Sequence, residues 1–309
     1  MRRHYSDGFL QTLKDGAEYY ISNFVLALLH RLGPERASNF GAAVARAVGP
    51  LLPASRVADE NLRAVFPHFD DMARKRIIAQ VWENLGRTVA ELPHLSALEL
   101  TESGPGFEIE GAEYLRPGPV VYVSGHYGNW EALPPIAARV GLPFSFVYRA
   151  AKNALVDRLI QSFRNAAINA DVPMFPKGAA GARGALAHIA RGGALGMLVD
   201  QKLNDGIEVP FLGLPAMTAT AAAAFALRYR CPVIPGRVER IEPARLKMIV
   251  EPPLPLPETG DQKSDILTLT AAINAVLGRW IAMNPGAWLW LHRRWPRAVI
   301  AAKLAAQGS

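Results

Sequence analysis

The sequence predicts an α/β fold: a central mixed sheet flanked by helices, with a helical region at its N-terminal end. Three observations lead there. From about residue 105, short apolar runs (Val120 to Val123, Phe144 to Tyr148, Leu195 to Val199, Val233 to Val238) alternate with helical stretches near 129–140, 153–168, 181–191 and 218–230. That is the pattern of strands linked by crossover helices. The first hundred residues lack this alternation and read mostly in helical period. With 309 residues, 50% hydrophobic and 20% charged, the chain is long enough to bury a core without disulfides and too apolar to be disordered. The expected organisation is a helical N-terminal region over 1–104 and an α/β core over 105–309, together one structural unit.

Each element has a local reason. Leu10, Leu13, Ala17, Ile21, Phe24 and Leu28 recur at helical spacing, which predicts an amphipathic first helix. Its charge-free stretch between Glu18 and Arg31 is 12 residues, short of the roughly 20 that cross a bilayer. The stripe therefore either lies in a membrane interface or packs on the protein's own core. Arg2 and Arg3 are followed by Asp7, Lys14, Asp15 and Glu18, not by the unbroken apolar core of a signal peptide. Asp70 and Asp71 open a helix whose face is Ile78, Val81, Leu85, Val89 and Leu92. A second charge-free run, Val209 to Leu227, spans 19 residues. Pro210, Gly213 and Pro215 break it into a loop and an Ala-rich helix, a buried element and not a membrane span. Leu246 to Val250 reads as a further strand. Pro252, Pro253, Pro255 and Pro257 make a stiff loop, and a helix near 265–283 closes the core.

The charge is uneven. Lys plus Arg is 34 against 27 acids, a net +7. No acid follows Asp265, whereas Arg279, Arg293, Arg294, Arg297 and Lys303 do, among Trp280, Trp288, Trp290 and Trp295. Such a block implies an anionic partner: nucleic acid, phospholipid, a phosphorylated substrate or an acidic protein. Trp beside Arg suits a membrane interface, ring at the headgroups and guanidinium on phosphate. The alternative is a Trp-rich core patch with solvated arginines. No recognisable nucleic-acid module accompanies the block. Cys231, the single cysteine, excludes an internal disulfide and a multi-cysteine zinc site.

The sharpest local feature is Val120-Val121-Tyr122-Val123-Ser124-Gly125-His126-Tyr127-Gly128-Asn129-Trp130-Glu131. A buried strand runs into two glycines around a histidine, then into a helix start. This puts His126 at a strand's carboxyl end, where open α/β sheets hold ligands. Glu131, five residues on, is placed to accept a hydrogen bond from one imidazole nitrogen and leave the other free as a base. The glycines would let substrate approach the backbone, and N–H groups at the helix start suit an oxyanion. A structural histidine is the competing reading. The segment lacks both the His-Glu-x-x-His zinc pattern and the Gly-x-Ser-x-Gly elbow, so Ser124 reads as a strand-end hydroxyl. His188, inside a helical stretch, reads as structural.

These residues resemble the late acyltransferases of lipid A biosynthesis, whose hallmark is His, four residues, then Asp or Glu. Further blocks follow in order: Trp82-Glu83-Asn84-Leu85-Gly86-Arg87 with Glu91; Tyr148-Arg149 with Asn153, Asp157 and Arg164; Asp200-Gln201, then Val209 to Gly213; and Trp288, Trp290, His292, Arg293, Arg294 and Trp295. The likeness spans roughly 10–297. It implies an enzyme that needs no metal and no cofactor. Such an enzyme moves a fatty acyl chain from an acyl carrier protein thioester to a hydroxyl of a lipid A precursor. The place implied is the cytoplasmic face of the bacterial inner membrane, with inner-membrane phospholipid as a partner and no nucleic acid. His126 would be the general base, with Glu131 orienting it. Arg149 is the candidate for substrate phosphate or oxyanion, with Arg164 and Asn129 as further binding residues. Asp200 would hold Arg149, line the cleft or serve a purely structural role, and the Val209 to Gly213 segment would wall an acyl channel or simply pack. Lys177, in Phe175-Pro176-Lys177-Gly178, is a further phosphate candidate. Two other readings stand beside this one: the same chemistry on another glycolipid or aminolipid, and a non-catalytic membrane- or nucleic-acid-binding α/β protein.

Overall fold

The computed structural model describes residues 2–307, with side chains described from residue 11 onward. Four helices lead: α1 (Arg2–Leu32), α2 (Pro34–Val48), α3 (Ala54–Val65) and α4 (Asp71–Glu91). Then come β1 (Gly106–Glu110), β2 (Val120–Ser124), α5 (Leu133–Arg139), β3 (Ser145–Tyr148), α6 (Ala154–Ile168), β4 (Met174–Pro176), α7 (Ala179–Ala190) and β5 (Ala194–Leu198). The chain continues through β6 (Lys202–Phe211), β7 (Leu214–Thr218), α8 (Ala221–Tyr229), β8 (Val233–Glu242) and β9 (Arg245–Val250). It closes with α9 (Gln262–Met283) and α10 (Arg297–Gln307).

The sheet is mixed, as expected. Its seven strands run in the order β1-β9-β8-β2-β5-β3-β4, and β6 with β7 forms a separate two-stranded hairpin. Only β8 and β9 pair antiparallel within the sheet. The central strand β2 lies parallel between β5 and β8 and is buried along its whole length, the mark of a strand covered on both faces. Side chains alternate strictly between two apolar cores. Val121, Val123, Leu195 and Val199 join the core built with α7, α8, α9 and the C-terminal tryptophans. Val120, Tyr122, Ala194 and Phe144 join the core built with α5, α6 and the residues after α4.

Local chemistry explains the helix boundaries. Asp70 caps α4, its carboxylate accepting from Ala73 N at 2.7 Å, which satisfies an otherwise orphaned N–H. Asn153 and Asp261 cap α6 and α9 in the same way. On α4, Ile78 and Val81 are buried as expected, but Val89 is 50% exposed and Trp82 takes the inward place. The Val209 to Leu227 run is the tip of the β6–β7 hairpin followed by α8, with Val209, Phe211 and Ala216 buried. Helix α9 is long and apolar enough to cross a membrane, yet it carries Leu269, Ile273, Leu277 and Trp280 into the core.

Helix α1 divides its apolar residues. Leu26 and Leu29 pack inward, whereas Leu13, Ile21, Phe24 and Leu28, from the stripe read in the sequence, are exposed, with Tyr20 and Val25 beside them. The side chain of Leu10 lies outside the described residues. The exposed surface continues onto Phe40, Val44 and Val48 of α2 and onto Leu51 and Leu52.

Of the two readings of the tryptophan block, the rings follow the core patch and the arginines follow neither. Trp280, Trp288, Trp290 and Trp295 are each at most 1% exposed, so none reaches a headgroup layer. Its cations are not unopposed either: Arg279 pairs with Glu251, and Arg293 with Glu60 at 3.1 Å. Arg294 is fully buried, donating to Met217 O and Thr218 Oγ1 and lying over the Phe211 ring. The acids are distant in sequence, and the fold brings them back.

Candidate active site

His126 follows directly on β2, at the carboxyl end of the central strand. Its Nδ1 lies 2.8 Å from Asp200 Oδ1, and its backbone N–H donates to Asp200 Oδ2, also at 2.8 Å. Asp200 follows β5, the parallel neighbour of β2, so two adjacent strand ends deliver the pair. Trp288 Nε1 donates to Asp200 Oδ2 at 2.7 Å. The carboxylate is fully buried yet satisfied by three donors, the condition under which a buried charge is stable.

This corrects the sequence reading in one respect. The imidazole is oriented by Asp200, and Glu131 instead takes Arg164 in a two-pronged ion pair at 2.8 and 2.6 Å. Trp130 stands edge-on to the imidazole, ring centres 5.2 Å apart. With Nδ1–H given to Asp200, Nε2 presents its lone pair, and the Gln201 amide stands 3.5 Å from it. Both His126 and Gln201 line the main cavity.

The electrostatics follow from the pairing. Burial alone would lower the His126 pKa, but the Asp200 charge, its hydrogen bond and the Glu131 charge outweigh burial and raise it above the ordinary imidazole value. Burial opposes ionisation of Asp200 too; the His126 charge and hydrogen bond overcome it and hold the carboxylate well below its usual range. His292, whose pKa is lowered chiefly by burial, lies behind them against Trp288. Burial also lowers the Arg294 pKa, to about 10.

The loop that carries His126 is held from behind. Asn84 Nδ2 and Thr88 Oγ1, both on α4, donate to Gly128 O, Gly128 N donates to Ala287 O, and Leu289 N donates to His126 O. Glu91, 3% exposed, accepts from Asn129 Nδ2, Ser38 Oγ and the Arg240 guanidinium. Gly128 is required here: its φ is +57°, and a side chain would run into Val238 O. The two glycines therefore serve packing, Gly125 against Asp200 and Gly128 against β8, and neither lines the cavity to which the sequence reading brought substrate. The N–H groups of His126, Tyr127 and Gly128 are likewise taken, by Asp200, Gly125 O and Ala287 O, and form no oxyanion site.

The remaining site candidates separate. Arg149 and Lys177 are exposed at the cavity's rim. Arg164 lines the cavity but is committed to Glu131. Asn129 is fully buried on Glu91 and lines no part of the cavity, so it is not a binding residue. Asp200 neither lines the cavity nor touches Arg149; it holds His126. The Val209 to Gly213 segment packs and is no channel wall. His188 donates from Nε2 to Ala194 O at 3.1 Å, as expected of a structural histidine. Arg240 was not singled out from the sequence, and Trp288 and Gln201 were read only within longer blocks, not as neighbours of Asp200 and His126, because these contacts join residues 75 or more apart. Among the described residues no cluster of His, Cys, Asp and Glu is arranged to hold a metal ion.

The cavity itself is about 510 Å³ and walled mainly by apolar side chains, within the size range of small-molecule sites. A half-buried histidine held by a fully buried aspartate and opening into an apolar cavity at the end of a central parallel strand defines an α/β protein fitted to proton transfer on an apolar-chain substrate. Residues 8–297 match the bacterial lipid A biosynthesis acyltransferase family. The chain belongs to that family, which makes it an acyltransferase of lipid A biosynthesis. No curated protein matches the sequence. Among solved structures, a 1-acyl-sn-glycerophosphate acyltransferase from Thermotoga maritima is similar at 12% identity and a TM-score of 0.36, covering 74% of this chain and 95% of that one. A likeness that low adds no argument to the family match.

Proposed function

We propose that this protein transfers a fatty acyl chain from an acyl carrier protein thioester to a hydroxyl of a lipid A precursor, at the cytoplasmic face of the bacterial inner membrane. Residues 105–309 act as the acyltransferase core and 1–104 as the layer that meets the membrane. The observation that carries this reading is His126, fixed by Asp200 and presenting Nε2 to an apolar cavity.

The chemistry runs as one displacement. Nε2 takes the proton of the acceptor hydroxyl as its oxygen attacks the thioester carbonyl carbon. The carbon–sulfur bond breaks, and the leaving thiolate takes the proton back from the imidazolium. Asp200 stabilises the imidazolium while it exists. The Glu131–Arg164 pair lines the cavity, and the two-pronged contact pre-orients the guanidinium. Arg149 and Lys177, exposed at the rim, are the cations for substrate phosphate.

Two features support the location and donor. The apolar surface over α1, α2 and Leu51–Leu52 suits burial in an interface. The net +7 favours approach of an acidic carrier and an anionic bilayer. The test is acyl transfer by purified protein from acyl carrier protein thioesters to a lipid A precursor, read by mass spectrometry. His126→Ala is expected to lose about 10²–10⁴ in rate while remaining folded and membrane-bound. Undiminished transfer by that variant would end the base assignment.

A further inference from the structure

Attack on a thioester carbonyl moves an electron pair onto its oxygen, and that charge needs an N–H donor about 3 Å away. The backbone of the His126 turn offers none, because the N–H groups of His126, Tyr127 and Gly128 are all committed. The side-chain donors around the cavity thin out in the same way. Tyr122 gives its hydroxyl proton to Arg116 O. Arg164 commits Nε and Nη2 to Glu131, the Ser124 hydroxyl is enclosed, and Arg149 and Lys177 stand at the exposed rim. Gln201 is different. It lines the cavity, and its carboxamide nitrogen lies 3.5 Å from His126 Nε2, longer than an ordinary hydrogen bond. Among the described residues the amide has no other partner. Its backbone, by contrast, is pinned. Gln201 follows Asp200, which is fixed on the His126 N–H and on Trp288, and it leads directly into β6.

We propose that Gln201 is a catalytic residue: its carboxamide N–H donates to the carbonyl oxygen of the acyl donor and holds the charge that develops there. This rests on the acyltransfer reading above and adds the group that carries the negative charge. Position supports it first. An attacking hydroxyl must sit within about 3 Å of Nε2 to lose its proton, and the carbonyl it attacks lies just beyond. A donor 3.5 Å from Nε2 meets that carbonyl oxygen after a small turn of its side chain, and the substrate hydroxyl replaces the amide at the Nε2 lone pair. The step balances. As the new oxygen–carbon bond forms, the hydroxyl proton goes to Nε2 and the carbonyl π pair goes to the carbonyl oxygen, facing the amide N–H. When the carbonyl re-forms, the carbon–sulfur bond breaks and the thiolate leaves with the imidazolium proton. Charge supports the assignment next. The Asp200 carboxylate strengthens His126 as a base, and a Lys or Arg standing where the amide stands would oppose protonation of the same ring. A neutral donor stabilises the oxyanion and leaves the base strong.

The test removes the donor and keeps the shape, in the full-length protein. Gln201→Met deletes both N–H groups at similar volume, and Gln201→Glu is the second variant should the first not fold. Gln201→Met should lower kcat about 10²–10³-fold, with donor and acceptor KM near wild type and the pH of the activity rise in place, since no charge is lost. Gln201→Glu should lose at least as much, with the rise moved to higher pH by the added negative charge beside the imidazole. Trp130→Phe, which removes the indole N–H near the same ring, should cost far less. A loss below about tenfold in Gln201→Met, a loss confined to acceptor KM, or a larger loss in Trp130→Phe overturns the assignment. Infrared spectra read the contact without turnover, using S-dodecanoyl-N-acetylcysteamine isotopically labelled at the carbonyl carbon and no acceptor. A hydrogen bond to the carbonyl oxygen lowers its stretching frequency, so the bound band should lie lower in wild type and Trp130→Phe than in either Gln201 variant. The same band in wild type and the Gln201 variants overturns the assignment even where transfer proceeds. A shift that depends on Gln201, with no transfer to the lipid A precursor, would fault the function and leave the assignment standing.

Discussion

The turn from Ser124 to Glu131 and the block from Trp280 to Arg297 meet at the same histidine, yet they relate to their sequences in opposite ways. In the turn, local order nearly suffices. A buried strand ends, glycines follow, and His126 stands at the carboxyl end of β2 as the pattern predicts. In the C-terminal block, local order misleads. Four tryptophans among unopposed arginines read equally as a surface for phosphate or as a core patch with solvated arginines, and the structure turns all four rings inward. The difference lies in where the partners come from. The turn is organised by its own strand, whereas the block takes its partners from up to 233 residues away, as Arg293 does with Glu60. The two segments then share a duty: Trp288 supplies Asp200 with a hydrogen bond, and Leu289 holds the His126 carbonyl.

The largest effects should separate Asp200 from Glu131. Asp200→Asn removes the charge that orients and stabilises the imidazolium, and a loss of about 10²–10⁴ in acyl transfer is expected. Glu131→Gln breaks only the pair with Arg164, and its loss should stay near tenfold, about 1.4 kcal/mol of barrier. Rates measured side by side under saturating substrates check the ordering.

The same comparison shows what was legible. The alternation of apolar runs with helical stretches placed β2, β3, β5, β8 and β9 and the helices between them, because buried parallel strands announce themselves in sequence. β4, at Met174–Pro176, and the β6–β7 hairpin were not read as strands, since three residues or a Pro-Gly-rich segment carry no clear period. His126 was legible from its turn. Its partner was not, because Glu131 is near in sequence and Asp200 is near only after β2 and β5 pair. Asn129 was misread for the same reason: its donor reaches Glu91, on α4.

The C-terminal block is broken next by stability. Trp290 is fully buried against Trp288, Trp295 and Phe66, so Trp290→Ala should cost about 3–5 kcal/mol, read by chemical denaturation. A cost below about 1 kcal/mol would return the ring to the surface. The smallest effect belongs to the block's outer cations. Arg293 and Glu60 are each about two-fifths exposed, and Arg293→Gln should change stability by no more than about 1 kcal/mol, with vesicle binding little altered by one charge among many.

The central claim is that Asp200, reached across two paired strands, sets the catalytic histidine. The direct measurement is the pH dependence of acyl transfer in wild type, Asp200→Asn and Glu131→Gln. A base works in its neutral form, so activity rises as pH passes through the His126 pKa. In wild type that rise should fall above the ordinary imidazole value of 6.5. Removing the Asp200 charge removes the main interaction that raises the pKa, so in Asp200→Asn the rise should move to lower pH, with the rate at its plateau strongly reduced. Glu131→Gln should move it slightly in the same direction. A profile left in place by Asp200→Asn, or moved further by Glu131→Gln, would contradict the account.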